Sequence, residues 1–159
     1  MGFDMDRSWQ SIIETKYCKV LAAAKQGEQR CLNGKRWGGS TVLMIVDTAI
    51  DSTGLNYFGV IVPRVMRFNE QYLKTGRITT LAKFAKLKPD NKSLMAIIKN
   101  ARIWNVAINI CKVLNRIKIE NEFKSDFEAL KYWAKGASYE NWQNDDIGRV
   151  NGVGLITFQ

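Results

Sequence analysis

The feature that most constrains the fold is a long segment in which apolar residues recur at helical spacing. Its members are Ile103, Val106, Ala107, Ile110, Val113, Leu114 and Ile117. Residues three and four positions apart lie on the same face of an α-helix, so this spacing predicts a helix with one buried side. No segment shows a convincing alternation of apolar and polar residues, which is the pattern of a half-buried strand. The sequence therefore predicts an all-α fold.

Two more core helices are predicted before this segment. Residues 41–50 are apolar on nearly every side, which is typical of a helix at the centre of a core. Residues 51–54 are predicted to end that helix and to cap a second one over residues 55–73, where Pro63 predicts a kink or an irregular turn. Further helical segments are predicted at residues 8–25, 78–87, 94–101 and 123–134.

The organisation of the chain indicates a single compact helical domain over residues 1–159. Only two prolines occur, Pro63 and Pro89, and no internal repeat or linker-like stretch divides the chain. Residues 1–40 are predicted to form a helix and a basic Gly-rich loop, residues 41–146 the helical core, and residues 147–159 a hairpin. The longest uncharged apolar run, residues 42–46, is too short to cross a bilayer.

The composition excludes several kinds of active site. The chain has no histidine, which excludes Ser-His and Cys-His nucleophile pairs. Cys18, Cys31 and Cys111 are widely spaced and form no Cys-x-x-Cys pair, so no zinc or iron–sulfur site is expected. They are predicted to be reduced and mostly buried thiols. Residues 1–10 lack the basic start and the following apolar run of a signal peptide, so we expect a cytoplasmic location.

The chain is strongly basic. It has 24 Lys and Arg residues against 15 Asp and Glu residues, a formal net charge of +9. This surplus favours a polyanionic partner, with nucleic acid ahead of an anionic membrane. A protein that is basic without any functional reason has the same composition, so the charge needs a matching geometry before it indicates a function.

That geometry is predicted at the end of the sequence. Gly152 and Gly154 flank a single small apolar residue, Val153, which suits a tight hairpin between two short helices. Without side chains at the glycines, a phosphate can approach the backbone N–H groups at the start of the second helix, where the helix dipole favours an anion. Val150 and Val153 are expected to hold the hairpin to the core.

This segment resembles the helix-hairpin-helix element of the DNA base-excision glycosylase superfamily, whose pattern is Leu-Pro-Gly-Val-Gly-x-x-Thr-Ala. Four residues match this pattern and three depart from it: Gly152, Val153, Gly154 and Thr157 match, and Val150, Asn151 and Phe158 replace Leu, Pro and Ala. Further upstream, residues 41–73 and the helix start at Asn100 and Arg102 are similar to the family's arrangement. The resemblance covers residues 40–159 and implies an all-α domain of the helix-hairpin-helix DNA glycosylase type.

The resemblance also implies a partner and a set of contacts. The partner is double-stranded DNA, which the family binds by its phosphate backbone before flipping and excising a damaged base. The residues expected to contact DNA in the hairpin region are Arg149, Asn151, Gly152, Val153, Gly154 and Thr157. In the family, backbone carbonyls of the hairpin hold a monovalent cation, which here would be those of Gly148, Val150 and Val153. No other cofactor and no membrane contact is expected, and we expect a monomer.

Two departures from the family limit the chemistry that can be carried over. Ile156 stands where bifunctional glycosylases have the lysine that forms a Schiff base, so the implied activity is monofunctional. The family's catalytic aspartate lies further along the chain than Gln159, where this sequence ends. We therefore expect a fragment of a longer protein or, less favoured, a natural non-catalytic relative. No catalytic residue or lesion is assigned.

Two further function classes remain open beside a glycosylase. A non-catalytic module would use the same hairpin to bind nucleic acid without chemistry. A helical protein-interaction domain would use the two glycines only as a turn. Duplex DNA binding that weakens steeply with salt would favour the nucleic-acid-binding module over the protein-interaction domain.

Other residues have two interpretations each. One Gly-rich loop contains Arg36 and Trp37, together with Arg30 and Lys35. These residues fit either a contact to DNA phosphates and bases or an ordinary loop between helices. The lysines at positions 83, 86, 88 and 92 fit a solvated face better than a DNA contact. The base pocket is expected between residues 55–73 and the hairpin.

Two pairs of carboxylates are also candidates. Asp47 and Asp51 are one helical turn apart, which could serve acid–base or metal chemistry. The favoured interpretation makes Asp51 a helix cap and Asp47 a buried or rim acid bonded to backbone. Asp145 and Asp146 are expected to cap or flank the first helix of the hairpin.

Overall fold

The structure is a computed structural model that describes residues 36–158, without the side chains of Leu155 and Ile156. The chain forms two compact units, Met1–Gly39 and Ser40–Gln159. In the first unit, the described part is a 3₁₀ turn, Arg36–Gly39. The predicted helix at residues 8–25, the basic residues Arg30 and Lys35, and the thiols Cys18 and Cys31 lie outside the described residues. A single domain for the whole chain stays a prediction.

Every regular element within residues 36–158 is helical, and no strand occurs in that range. The α-helices of the second unit are α1 (Thr41–Asp51), α2 (Val62–Phe68), α3 (Leu81–Ala85), α4 (Lys92–Met95), α5 (Ala101–Glu120), α6 (Asp126–Gly136) and α7 (Leu155–Phe158). Two π-helical turns, Tyr57–Ile61 and Asn69–Leu73, flank α2, and a 3₁₀ turn, Tyr139–Asn144, follows α6. The predicted all-α class is confirmed for this part of the chain.

The core is built around α5, which packs against α1, α3 and α6. Helices α1 and α5 form where they were expected, and the apolar face of α5 is buried as its periodicity requires. Trp104 on that face is fully buried, and its Nε1–H donates to the Ile98 carbonyl at 2.9 Å. Its ring stacks on Phe68, with centroids 6.0 Å apart. Because the Trp104 indole is both hydrogen-bonded and stacked on Phe68, it fixes the position of α2 against α5.

The segment predicted as one helix over residues 55–73 is more irregular than expected. It consists of α2 with a π-helical turn at each end, and Leu55 lies before it in an exposed loop. Pro63 lacks an N–H and its ring needs space beside the preceding turn, which is therefore the wider π type. The predicted cap was wrong, because the Asn56 side chain caps this segment by accepting from the Gly59 N–H at 2.7 Å. Asp51 is the last residue of α1.

Local signals place the starts of the other helices, but the predicted helix over residues 94–101 was wrong, because α4 ends at Met95 and the chain turns before α5 begins at Ala101. Thr80 caps α3, Asn100 caps α5, and Ser125 forms a capping box with Glu128 at the start of α6. The apolar stripe predicted for α6 is shifted, because Ala129 is its only buried residue and the predicted aromatic residues are half-buried. Among the helices described, none is both long enough and apolar enough to span a membrane.

Candidate nucleic-acid interface

The hairpin residues form a tight turn between two helical arms. The first arm is a single turn, in which the Arg149 N–H donates to the Asp145 carbonyl at 2.9 Å. The second arm is α7. Between them, the Val153 N–H donates to the Val150 carbonyl at 2.9 Å and closes the turn. The chain thus reverses direction over very few residues, as two closely spaced glycines allow.

Gly152 fixes the position of this turn against α5. Its φ is +98°, in the region that favours glycine. A Cβ at this position would lie 2.7 Å from Cγ2 of Val106 and 3.5 Å from Nε of Arg102. The turn backbone therefore contacts α5 directly, next to the Arg102 side chain, and only glycine permits this approach.

Asp145 holds the first arm of the hairpin. Its Oδ1 accepts hydrogen bonds from the N–H of Ile147 at 2.7 Å and of Gly148 at 3.4 Å, which is the predicted capping role. The same carboxylate accepts from Trp133 Nε1 of α6, at 2.9 and 3.1 Å to its two oxygens. Asp146 forms an ion pair with Arg116 of α5 at 2.6 Å. Both predicted flanking acids thus tie the hairpin to neighbouring helices.

Gly148 lies against the backbone of the 3₁₀ turn Tyr139–Asn144, where a residue with a side chain does not fit. A Cβ at this position would overlap the carbonyl oxygen of Trp142. The Trp142 ring lies 6.2 Å from the ring of Phe158 in α7, and the Trp133 ring lies 5.4 Å from it. These ring contacts hold the second arm, α7, in place. A helix this short is stable only when it packs against other residues.

A cleft of about 520 Å³ opens beside the turn. It is lined by residues after α1, at the start of α5 and in the hairpin: Ser52, Thr53, Asn100, Arg102, Ile103, Val106, Gly152, Gly154 and Thr157. Ser52 and Thr53 form one wall of this cleft, and none of its lining residues belongs to residues 55–73. The expected base pocket between residues 55–73 and the hairpin stays a prediction. The cleft is within the size range of sites that bind small molecules or parts of larger ones.

The electrostatics of this cleft favour an anion. The N-terminus of the 20-residue helix α5 reaches it, and its dipole places partial positive charge there. The Asn100 side chain accepts from the N–H groups of Arg102 at 3.0 Å and Ile103 at 3.4 Å. Arg102 is exposed, and its side chain forms no ion pair within residues 36–158. None of the described lining residues is acidic.

The predicted contact residues of the hairpin region differ in what they can offer to a ligand. Gly152, Gly154 and Thr157 line the cleft, although Thr157 is only 5% exposed. Val153 is buried, as expected for a residue that holds the hairpin to the core, and its N–H donates to the Val150 carbonyl inside the turn. Its predicted contact to DNA stays a prediction. Arg149 and Asn151 are exposed but lie outside the lining of the cleft.

Six of the nine cleft residues were not assigned as site residues from the sequence: Ser52, Thr53, Asn100, Arg102, Ile103 and Val106. Ser52 and Thr53 carried only a turn signal, and Arg102 was noted only as a basic residue near a helix start. Asn100 before an amphipathic segment was the one local signal for this helix start. Nothing in the local pattern shows that the end of α1 meets it.

Arg36 and Trp37 belong to the first unit. Both are half-buried in the 3₁₀ turn, where Trp37 has a φ of 51° and Gly38 a φ of 65°. Their predicted contact to DNA stays a prediction. The lysines at positions 83, 86, 88 and 92 are exposed, as expected for a solvated face.

The predicted cation site is formed by backbone atoms. Of its three carbonyls, the one on Val150 already accepts the Val153 N–H and keeps a second lone pair for a cation. The cation stays a prediction. Within the described part of the chain, no three Cys, Asp or Glu side chains cluster in a way that could hold a metal ion.

Two other candidate groups, Asp47 and Cys111, are buried. Asp47 is fully buried, as one of its expected positions requires, and it accepts a hydrogen bond from the Tyr57 hydroxyl at 3.1 Å; its expected bond to the backbone stays a prediction. Cys111 is also buried, and burial together with the charge of Asp126 raises the pKa of its thiol well above the usual value. The thiol therefore stays protonated at neutral pH and is a poor nucleophile.

The described walls of the cleft thus carry a positive charge and hydrogen-bond donors, and they include no carboxylate or thiol. Its donors are backbone amides, an arginine and hydroxyl groups, which suits oxygen acceptors of any chemical origin. A comparison of the chain with protein-family models, with curated proteins and with solved structures found no match.

Proposed function

We propose that this protein binds double-stranded DNA by holding the phosphate backbone in the cleft between the Gly152–Gly154 turn and the N-terminus of α5. The observation that carries the proposal is the contact of Gly152 with Val106, which places the turn beside Arg102. The turn backbone at Gly152 and Gly154, the dipole of α5 and the Arg102 guanidinium then border one cleft. The amides of Arg102 and Ile103 are already bonded to Asn100, so the turn supplies the backbone donors. Such combinations position phosphates without reading the base sequence.

The accessibility of the turn backbone supports this. The hydrogen bonds of the described residues use the N–H of Val153 but not those of Gly152 and Gly154. Gly154 is exposed, and a Cβ built on it meets no atom within 4 Å. A phosphate oxygen can therefore reach this backbone from the cleft side.

The distribution of charge also supports a polyanionic partner. Residues 64–118, which include Arg102, contain thirteen Lys and Arg residues and two acidic residues, Glu70 and Asp90. Residues 120–146 contain seven acidic residues and three lysines. The start of α5, which lines part of the cleft, belongs to this basic segment. A surplus of positive charge of this kind favours binding that weakens steeply with salt.

Duplex binding is expected to depend on the open backbone at Gly154. We expect Gly154→Leu to weaken binding about tenfold, because its side chain would cover the amide and displace a charge-assisted hydrogen bond. Fluorescence anisotropy with a labelled duplex at low salt measures this. Gly136→Leu is the matched control, because Gly136 ends α6 and a Cβ there also meets open space. Equal affinity of the two variants would contradict the proposed site.

The same assay with a variant of Arg102 distinguishes a direct contact between this arginine and a phosphate from the general attraction of a basic protein to DNA. Arg102→Gln should reduce the slope of log affinity against log salt by about 1, as expected for the loss of one phosphate contact. Lys135→Gln, an exposed lysine in the last turn of α6, should leave that slope nearly unchanged. If the chain binds no duplex even at low salt, the helical protein-interaction alternative is favoured.

A more specific form of this proposal is base excision. It rests on the resemblance of residues 147–158 to the helix-hairpin-helix element of the DNA glycosylases. In that form the protein releases a damaged base from DNA and, because Ile156 replaces the Schiff-base lysine, leaves the strand uncut. Incubation with uracil-, hypoxanthine- and 8-oxoguanine-containing duplexes measures base release and strand cleavage separately. Tight duplex binding without release of any base would support the non-catalytic module.

A further inference from the structure

A second concave site lies between the end of the α2 segment and α4. Its volume is about 420 Å³, and it is lined by Gln71, Tyr72, Thr75, Arg77, Ser93 and Ala96. None of these residues lines the cleft beside the hairpin. The site therefore has its own chemistry, which the proposed DNA contact does not use.

The side of this pocket holds a buried hydroxyl that lacks a partner among the described residues. Tyr72 is 6% exposed, and its hydroxyl forms no hydrogen bond of acceptable length and angle. Burial raises the pKa of Tyr72, and a side-chain interaction with Ser93 together with the charge of Arg77 partly opposes that rise. The phenol therefore keeps its proton at neutral pH. The Ser93 interaction does not reach the length and angle of a hydrogen bond. Buried hydroxyls are usually paired in folded proteins, so this one keeps an unused donor in a residue that lines the pocket.

The other lining groups are suited to the same kind of ligand. Arg77 is exposed, and its guanidinium forms no ion pair within residues 36–158. The Thr75 hydroxyl donates to the Gln71 carbonyl at 2.8 Å, so its proton is already committed. No lining residue is acidic. The pocket thus combines a positive charge with hydroxyl donors, which matches an acceptor-rich oxyanion.

We propose that this pocket binds a phosphate group, with the Arg77 guanidinium and the Tyr72 hydroxyl as donors to its oxygens. A tetrahedral phosphate accepts hydrogen bonds from several directions, as donors on separate elements require. Arg77 and Ser93 approach from two such elements, the turn after the α2 segment and α4. The phosphate can come from a free monoester or from a nucleic-acid strand.

The test is a titration with inorganic phosphate, followed by amide NMR signals at constant ionic strength with chloride as the reference ion. We expect the signals of Gln71, Arg77 and Ser93 to shift with phosphate alone. Arg77→Gln should weaken phosphate binding about tenfold. Lys74→Gln, which removes an exposed lysine paired with Glu70 outside the pocket lining, should leave binding unchanged. Identical shifts with chloride, or unchanged affinity in Arg77→Gln, would overturn the proposal.

Tyr72→Phe tests the hydroxyl separately from the charge. Because that hydroxyl has no partner among the described residues, its removal should leave the melting temperature unchanged or raise it, while phosphate binding weakens several-fold. A lowered melting temperature with unchanged phosphate binding would show that the hydroxyl has a structural partner, which contradicts the proposal.

Two further titrations identify the source of the phosphate. A deoxynucleoside monophosphate that binds more tightly than inorganic phosphate, with duplex affinity unchanged in Arg77→Gln, indicates a free monoester. Weaker duplex binding by Arg77→Gln with only weak monophosphate binding indicates a strand contact. The phosphate titration does not depend on the hairpin, so a failure of duplex binding leaves this result intact.

Discussion

Gly148→Ala is expected to destabilise the protein by about 3 kcal/mol, because the new methyl group has no space. Its carbon would overlap the Trp142 carbonyl oxygen, and a backbone atom cannot move aside as the end of a flexible side chain can. Trp142 also packs on Phe158, so any shift of the 3₁₀ turn loosens the second arm of the hairpin. Urea unfolding followed by tryptophan fluorescence measures the free energy of unfolding.

Gly136→Ala is the matched control for this substitution. Gly136 ends α6 in ordinary helical backbone, and a Cβ built there meets nothing within 4 Å. This variant should be unchanged or slightly more stable, since alanine loses less backbone entropy on folding than glycine. If both variants unfold at the same urea concentration, the close approach of Gly148 to Trp142 does not exist in solution.

Asp145→Ala is expected to cost about 3 kcal/mol of the free energy of unfolding. The carboxylate accepts hydrogen bonds from Trp133 Nε1 and from the N–H groups of Ile147 and Gly148. Alanine would leave the indole N–H and the Ile147 amide without an acceptor in a partly buried environment. Breaking hydrogen bonds to a charged acceptor costs more than breaking neutral ones, and three donors are affected here.

The neighbouring acid is a control of the same charge. Asp146→Ala removes an ion pair with Arg116 in which both side chains are 51% exposed. Exposed pairs contribute little, so this variant should lose less than about 1 kcal/mol. Asp145→Asn keeps an acceptor oxygen and should fall between the two alanine variants. Equal losses for Asp145→Ala and Asp146→Ala in urea unfolding would contradict the central role of Asp145 in the hairpin.

The structure also changes how the phosphate-binding hypothesis is best tested. From the sequence, Gly152 and Gly154 are equivalent, and a bulky residue at either is expected to block DNA while leaving the fold intact. In the structure, a side chain at Gly152 meets Val106 and requires a φ of +98°, so its replacement also disturbs packing. Gly154 faces open space, which makes it the variant that reports on binding alone.

The sequence by itself determined the local structure of this protein. Helical periodicity predicted α5 and α1, and Pro63 predicted the irregular segment that contains α2. The threonines at positions 79 and 80 both fitted the start of α3, and the structure shows that Thr80 is the cap. These features depend on interactions between residues no more than about four positions apart, which the order of side chains encodes directly. The predicted cap for the α2 segment was wrong by a few positions because Asp, Ser, Thr and Asn all cap helices.

Only the tertiary structure decided which of these local features meet. Ser52 and Arg102 line one cleft, Trp133 binds Asp145, and Tyr72 lies near Ser93, although the members of each pair are far apart in the chain. Such pairs are set by how the helices pack around α5, where close-packed side chains allow few arrangements. The sequence pattern specifies which face of each helix is buried, but the partner of that face follows from the packing of the whole core.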